Sequence, residues 1–497
     1  MLFTLPADLC TLPDPPIKFT GLPHRRLGHL TTPRLLRDPQ TLDFERWVAY
    51  ARHVQVIGEH PHSILDRVSF SPEVWATLTR YGPNPLLPNL RRLCVHGAEV
   101  QYLSNDTLHF PFAGSLRHLR CPVTSRPKDL DILDKLAKSA LQLEVLDIST
   151  EYIAERGRLE RYTLDSITLE KSLIPCLLTL SDLRMLRLPN VTGISPAALS
   201  AIGALRSLSE LTITITDLLT PLDNGSSTLF PTLKTVRTTV DELRCVTAFL
   251  YSISSPLLET IWVSCHNHAT SAAVIRFFSA SAVYQQHPRL TLREIMLASK
   301  HVQPQPRCNL EEAIRPLLNL HQLASFSLFG WETLDIDNSF VAELASAWPA
   351  LKTLHLRPSS DPQFLSDAAP SVTLAGLLPL ASLCPELRAV SLAINVDVDV
   401  PAPELRPYRQ VTESRLRELH IGLTGPPRDP VQIAAFLSDH FPWLYNVGYY
   451  PRPGASIETR RGWGIVQALR CNLSLIRWQE RNWAERLRRG SCDETSS

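Results

Sequence analysis

The chain has 497 residues, 44% of them hydrophobic and 20% charged, enough apolar material for a large core. Its formal net charge is +1, so bulk charge points to neither a nucleic-acid nor a membrane-surface partner. The 10 cysteines are dispersed with no C-x-x-C pair, which excludes the dense disulfide framework of a small secreted domain and leads us to expect a reduced, intracellular protein, cytoplasmic or nuclear. No apolar run of 18 residues occurs, and Met1–Pro6 lacks the charged and apolar regions of a signal peptide, so neither a membrane span nor secretion is expected.

Residues 1–60 read as an N-terminal segment and cap. Proline and basic residues crowd its first 40 positions, while Asp43–Ala51 has the spacing of a short amphipathic helix. Val54 and Ile57 follow as the start of a degenerate first repeat, as terminal repeats that cap a core are atypical.

From Leu90 onward one phrase, L-x-x-(apolar)-x-(apolar), recurs thirteen times, with Cys121, Thr238 and Tyr449 in the last position of three of them. It opens at Leu90, Leu116, Leu143, Leu183, Leu208, Leu233, Leu258, Leu292, Leu323, Leu351, Leu387, Leu416 and Leu444, in steps of 25 to 40 residues. Alternation along each phrase sends its fourth and sixth residues to one face and its third, fifth and seventh to the other. No single strand of this kind buries its apolar face alone; stacked neighbours do, and they share one core. The stretches between phrases carry helical spacing at Asp129–Leu136, Ala197–Leu205, Asp241–Tyr251, Ala272–Phe278 and Val431–Leu437, with Pro196 and Pro430 at first-turn positions. Strand, helix, parallel strand is the α/β connection.

Proline keeps the same register. Pro88, Pro231, Pro256, Pro349, Pro385 and Pro442 each stand two residues before the first Leu of a phrase, where they end a helix and launch a strand. The fold expected is therefore α/β: an irregular leucine-rich-repeat solenoid, a horseshoe with a parallel concave sheet and outer helices, over 61–452. Loops or extra helical turns are expected near 150–175, 265–290, 299–312 and 358–372. Residues 453–490 read as a C-terminal capping helix with an apolar stripe of Val466, Leu469, Leu473, Ile476 and Trp483, and 491–497 as a polar tail.

Catalytic and nucleotide-binding motifs are missing: there is no G-x-x-x-x-G-K-[ST], G-x-G-x-x-G, H-E-x-x-H or G-x-S-x-G. Cys265-His266-Asn267-His268 lacks a second pair at zinc spacing and reads as a strand-end loop; Asp397-Val398-Asp399 reads as a solvated loop. No enzyme, metal or cofactor is expected. The concave positions hold a basic zone (Arg92, His96, His118, Arg120, Arg187, Arg237), then a more aromatic one (Trp262, Met296, Phe329, His355, Arg357, His420, Tyr450). Arginine forks suit carboxylates and phosphates, and aromatics suit interface anchors. An acidic or phosphorylated protein ligand is one reading of this face; the other is that exposed strand positions must hold something polar. The intervening Asp147 and Glu210 count against the first. If the first is right, charge reversal at Arg120 and Arg187 abolishes peptide binding. The protein itself is expected to be a monomer.

Together, Phe44–Val54, the repeated phrases and the Val466–Glu480 segment running into Arg481 make the chain resemble the large fungal F-box/leucine-rich-repeat family. The resemblance implies a substrate receptor of a ubiquitin ligase: an F-box docks on a Skp-type adaptor, and the repeats present a protein substrate. Leu5–Leu9 resembles an F-box opening, but Pro13, Pro15 and Pro16 forbid the helices that should follow. Adaptor docking is thus expected only if the module lies upstream; the alternative is a stand-alone interaction scaffold.

Overall fold

The computed structural model describes residues 10–11, 34–35, 45–57, 87–94, 114–121, 133, 136–138, 142–148, 153–155, 158–160, 169–189, 191, 193–216, 229–267, 269–283, 292–299, 310–331, 336–358, 369–401, 414–451 and 457–493. His96, His268, the Leu5–Leu9 stretch, Pro13, Pro15 and Pro16 lie outside these. The chain divides into two compact units: the first holds 1–218, 222–238 and 252–255, the second 219–221, 239–251 and 256–497.

In the first unit, β1 (Cys10–Thr11) and β2 (Arg34–Leu35) pair antiparallel. Helix α1 (Glu45–Ala51) leads into β3 (Val56–Ile57), the degenerate first repeat. Then come β4 (Arg92–Cys94), β5 (His118–Arg120) and β6 (Val145–Asp147). A hairpin, β7 (Ile153–Glu155) and β8 (Arg158–Glu160), and helix α2 (Ile174–Thr179) occupy the long step before β9 (Met185–Leu188). Helix α3 (Pro196–Gly203) precedes β10 (Glu210–Ile215). Strands β3, β4, β5, β6, β9 and β10 pair in that order, all parallel. Strand β11 (Thr235–Val240) and helix α4 (Leu243–Ser252) span the division between the units.

The second unit continues the rule. Its strands are β12 (Thr260–Cys265), β13 (Glu294–Ser299), β14 (Ser325–Trp331), β15 (Thr353–Pro358), β16 (Ala389–Ser391), β17 (Glu418–Thr424) and β18 (Asn446–Pro451). Each pairs with the next, all parallel. Helices α5 (Ser271–Val283), α6 (Leu310–Ile314), α7 (Asn338–Ala347), α8 (Leu377–Leu383) and α9 (Pro430–His440) lie between them in sequence, and α10 (Ile457–Asp493) follows β18. Every one of the thirteen phrases forms a strand. Their first and fourth residues are buried throughout, as at Leu351 and Leu354 or Leu416 and Leu419.

One turn and one hydrogen-bond fork recur at many of the strand entries among the described residues. The N–H of the first phrase residue donates to the carbonyl three residues earlier: Leu90 to Leu87, Leu233 to Phe230, Leu351 to Trp348, Leu387 to Cys384 and Leu444 to Phe441. The in-register prolines occupy the second position of this turn, which a fixed φ suits. The carbonyl of the second phrase residue then accepts two amides from the next repeat. Arg388 O takes Arg417 N (2.8 Å) and Glu418 N (3.0 Å), and Arg417 O takes Tyr445 N (3.0 Å) and Asn446 N (3.2 Å). The same fork is present at Gln55, Arg91, Arg117, Glu144, Arg184, Ser209, Glu259, Arg293, Ala324 and Lys352. It fixes register, so equal phrase positions stand side by side on neighbouring strands.

The helix starts carry their own signals. The Asp429 carboxylate accepts from Val431 N and Gln432 N with Pro430 at the first helical position. Ser195 caps α3 in the same way ahead of Pro196, and Asp337 caps α7 at Phe340 N. Between helices and sheet in the second unit runs an aromatic chain: Phe277, Phe278, Phe326 and Trp348, with successive centroids 5.3, 5.8 and 5.3 Å apart. The Trp348 indole N–H donates to Leu317 O at 3.1 Å, so its one polar atom is satisfied in the core.

Helix α10 corrects one detail of the sequence reading. It runs to Asp493, and its buried side is Thr459, Trp463, Val466 and Arg470. Leu469 and Leu473 are half-buried, while Ile476 and Trp483 are exposed, so the expected stripe packs only over its first part. The gain is at the sheet edge. Gln467 Nε2 (2.8 Å) and Arg470 Nη2 (3.3 Å) both donate to Tyr445 O, and Val447 N donates to Gln467 Oε1. Two side chains thus supply the fork that a further strand would have supplied, and blunt an edge otherwise open to pairing.

Candidate functional site

Fifth and seventh phrase positions turn away from the buried layer, and register sets them in rows. In the first unit β5, β6 and β9 align Arg120, Asp147 and Arg187. Asp147 Oδ2 lies 3.6 Å from Arg120 Nε and 3.6 Å from Arg187 Nη1. The Asp147 carboxylate is nearly buried and is clamped by both cations. Charge reversal at these two arginines would therefore surround that carboxylate with like charge, which loads the binding test with a folding defect. Arg92 is exposed and aligns with half-buried His118 on the row of third positions; Arg237 is half-buried on β11. Glu210 belongs to the row of third positions, beside Met185, so it does not stand between Arg120 and Arg187.

In the second unit the row of fifth positions reads Trp262, Met296, Ser327, His355, Ser391, His420 and Gly448. The next row sets Phe329 beside Arg357. These groups meet. Arg357 Nε donates to Ser391 Oγ at 2.9 Å, and its guanidinium carbon stands 5.6 Å from the centre of the Phe329 ring. The Phe329 and His355 rings are tilted 56° with centroids 5.8 Å apart. Ser391 is wholly buried, and Phe329, His355, Arg357 and His420 are half-buried. A guanidinium is thereby held from one side by a hydroxyl and from below by an aromatic face.

His420 sits where it does because position 448 is glycine: a β-carbon there would collide with the imidazole. Strand β17 bulges just beyond, at Gly422, whose φ of 58° suits a residue without a β-carbon. From the second position of its phrase the Tyr445 hydroxyl donates at 2.7 Å to Oε1 of Glu418, a third position. Burial, then Arg357, then His420 push His355 down to about 4, with Glu418 opposing. Burial first and Arg357 second lower His420 as well. Both imidazoles are neutral at pH 7 in this setting.

Of the residues singled out from the sequence, the structure brings together Phe329, His355, Arg357 and His420 in one unit and Arg120 with Arg187 in the other. Trp262 is half-buried farther along its row, and Tyr450 lies on β18 beside Leu423. Ser391, Gly448 and Glu418 were missed. The phrase register alone could have found Ser391 and Gly448, since both are fifth positions. Cys265 ends β12 with its thiol near Asn267 O and Asp241 O, and burial raises it to about 11, as expected of a structural thiol. No group of three or more metal-ligating side chains occurs among the described residues. No helix among them is long and apolar enough to cross a membrane. Neither a protein-family profile nor a curated protein matches the chain.

Proposed function

We propose that this chain is a non-catalytic, intracellular protein-binding scaffold of the leucine-rich-repeat solenoid type, serving as the substrate-recognition part of an F-box type ubiquitin ligase. The observation that carries the scaffold reading is the register. A backbone fork repeated from strand to strand within each unit places the outward side chains of successive strands in straight rows, so residues 28 to 36 apart in sequence act as one surface. Such a surface is built for recognition, with specificity held in the variable positions. The ligase reading rests on the resemblance of Phe44–Val54, the repeats and the terminal segment to fungal F-box/leucine-rich-repeat proteins.

The two parts separate in one experiment. The 5′ end of the transcript is mapped, and its full product is tested for binding to a purified Skp-type adaptor. Retention of the adaptor supports the ligase role. A full product that fails to retain it removes that role and leaves the stand-alone scaffold.

A further inference from the structure

Arg470 is almost wholly buried on the side of α10 that meets β18. Its Nη2 donates to Tyr445 O at 3.3 Å and to the Cys471 sulfur at 2.9 Å. Its Nε is buried with no hydrogen-bond partner, and among the described residues no carboxylate pairs with this guanidinium. Taking a cation out of water costs free energy that an opposite charge at close range offsets. The group beside it that can carry such a charge is the Cys471 thiol. Burial pulls Arg470 down from its ordinary value, and Cys471 opposes this by its charge and by the hydrogen bond.

Cys471 also differs from the other thiols in access. Cys121, Cys176, Cys245, Cys265 and Cys384 are buried and Cys94 is half-buried, whereas Cys471 is exposed. Neighbours on a helix point about 100° apart, so the long arginine stem can turn inward while the thiol next to it faces water. A sulfur that solvent reaches, with a cationic donor held against it, meets the two conditions for a reactive cysteine. The residues three and four places away are Gln467, Ala468, Ser474 and Leu475, none of them acidic, so nothing on those turns repels an anionic reagent. We propose that Cys471 is a modification site for a small anionic disulfide of the glutathione type, with Arg470 as its positioning residue.

The step is a thiol–disulfide exchange. Cys471 gives its proton to solvent, and the charge left on sulfur sits against the guanidinium. That sulfur attacks one sulfur of the disulfide. A new S–S bond forms as the old one breaks, and the released half leaves as a thiolate that takes up a proton. The Cys471 sulfur is oxidised and the leaving sulfur reduced, with no other electron donor or acceptor.

The site depends on neither the scaffold nor the ligase reading. In the test, the full chain is treated with oxidised glutathione at pH 7.5, quenched with acid and read cysteine by cysteine by peptide mass spectrometry. Native Cys471 is expected to gain the adduct about tenfold faster than the same residue in urea, the worth of one charge-assisted hydrogen bond. Arg470→Met keeps the stem and removes the donors; it is expected to slow Cys471 by about the same factor, and Arg470→Lys by less. The Met variant should also lose preference for oxidised glutathione over cystamine, its cationic counterpart, a ratio that a merely structural arginine would not move. Should Arg470→Met fail to fold, the parent's native-against-urea comparison and its preference between the two disulfides decide. Cys471 reacting no faster in the native chain than in urea, or at the parent's rate in Arg470→Met, overturns the site. An unchanged preference overturns the role of Arg470.

Discussion

At position 448 a β-carbon has nowhere to go except into the His420 ring. Gly448→Ala is therefore expected to expel the imidazole toward solvent and to bring its pKa back up toward the ordinary value, readable by NMR in a His420-assigned spectrum. His355 gives a second prediction. Its folded value of about 4 lies below the unfolded 6.5, so the unfolded chain binds the proton more readily. The neutral ring's contribution is complete above about pH 6.5, is lost as pH falls through that value, and is gone near pH 4. Partial exposure reduces the effect to on the order of 2 kcal/mol. The difference between urea melts at pH 7 and pH 4.5 should be smaller in His355→Gln than in the parent. In the core, Trp348→Ala is expected to cost roughly 3–5 kcal/mol by opening a cavity beside Phe326, whereas exposed Leu257→Ala should stay within about 0.5 kcal/mol. Much of this residue chemistry was visible in the sequence as a list of outward positions. What was not visible is who meets whom. That Asp147 is shared by Arg120 and Arg187, and that Phe329 lies under Arg357, depends on side-chain reach across strands, and periodicity carries no information about reach.

Among the elements, strands were the most legible, because an alternating phrase with a fixed turn ahead of it admits one local solution. The turn explains the proline register more fully than helix termination does, since proline's fixed φ fills the turn's second position. Pro349→Ala should cost about 0.4–1 kcal/mol, mostly by freeing the unfolded chain. At the helix starts, Asp429→Ala should cost about 1 kcal/mol, and Asp429→Asn less, as an amide oxygen still caps. Differential denaturant melts order these three. The connecting segments were less legible. Their lengths signalled insertions at 150–175 and 265–290, and the spacing of Ala272–Phe278 marked the helix that proves to be α5, but nothing marked the β7–β8 hairpin in the first. Nothing in those stretches repeats, so no internal comparison fixes them. Helix α10 was legible as a cap, but its apolar residues were misleading: Arg470 is buried and Trp483 is exposed.

For the molecule as a whole, a stack of repeats has stability that is close to a sum of repeat and neighbour terms, and its ends are where pairing goes wrong. Truncation after Ser456 removes α10 and bares β18. The expected result is concentration-dependent self-association, seen by light scattering, with the truncated chain still showing its strand signal by circular dichroism. A subtler variant, Gln467→Ala with Arg470→Leu, removes only the side-chain fork and should raise hydrogen exchange at Val447 N–H before any aggregation appears.

The fork at Tyr445 also bears on how such a chain changes length over generations. The terminator reads one carbonyl and one amide on the last strand, and both are backbone groups that every preceding strand presents at the same phrase positions. A duplication or loss of a whole repeat upstream leaves that local grammar intact: whichever strand comes last still ends in the two atoms that Gln467 and Arg470 recognise. The recognition rows can therefore be lengthened, shortened or rewritten while the full stop is kept.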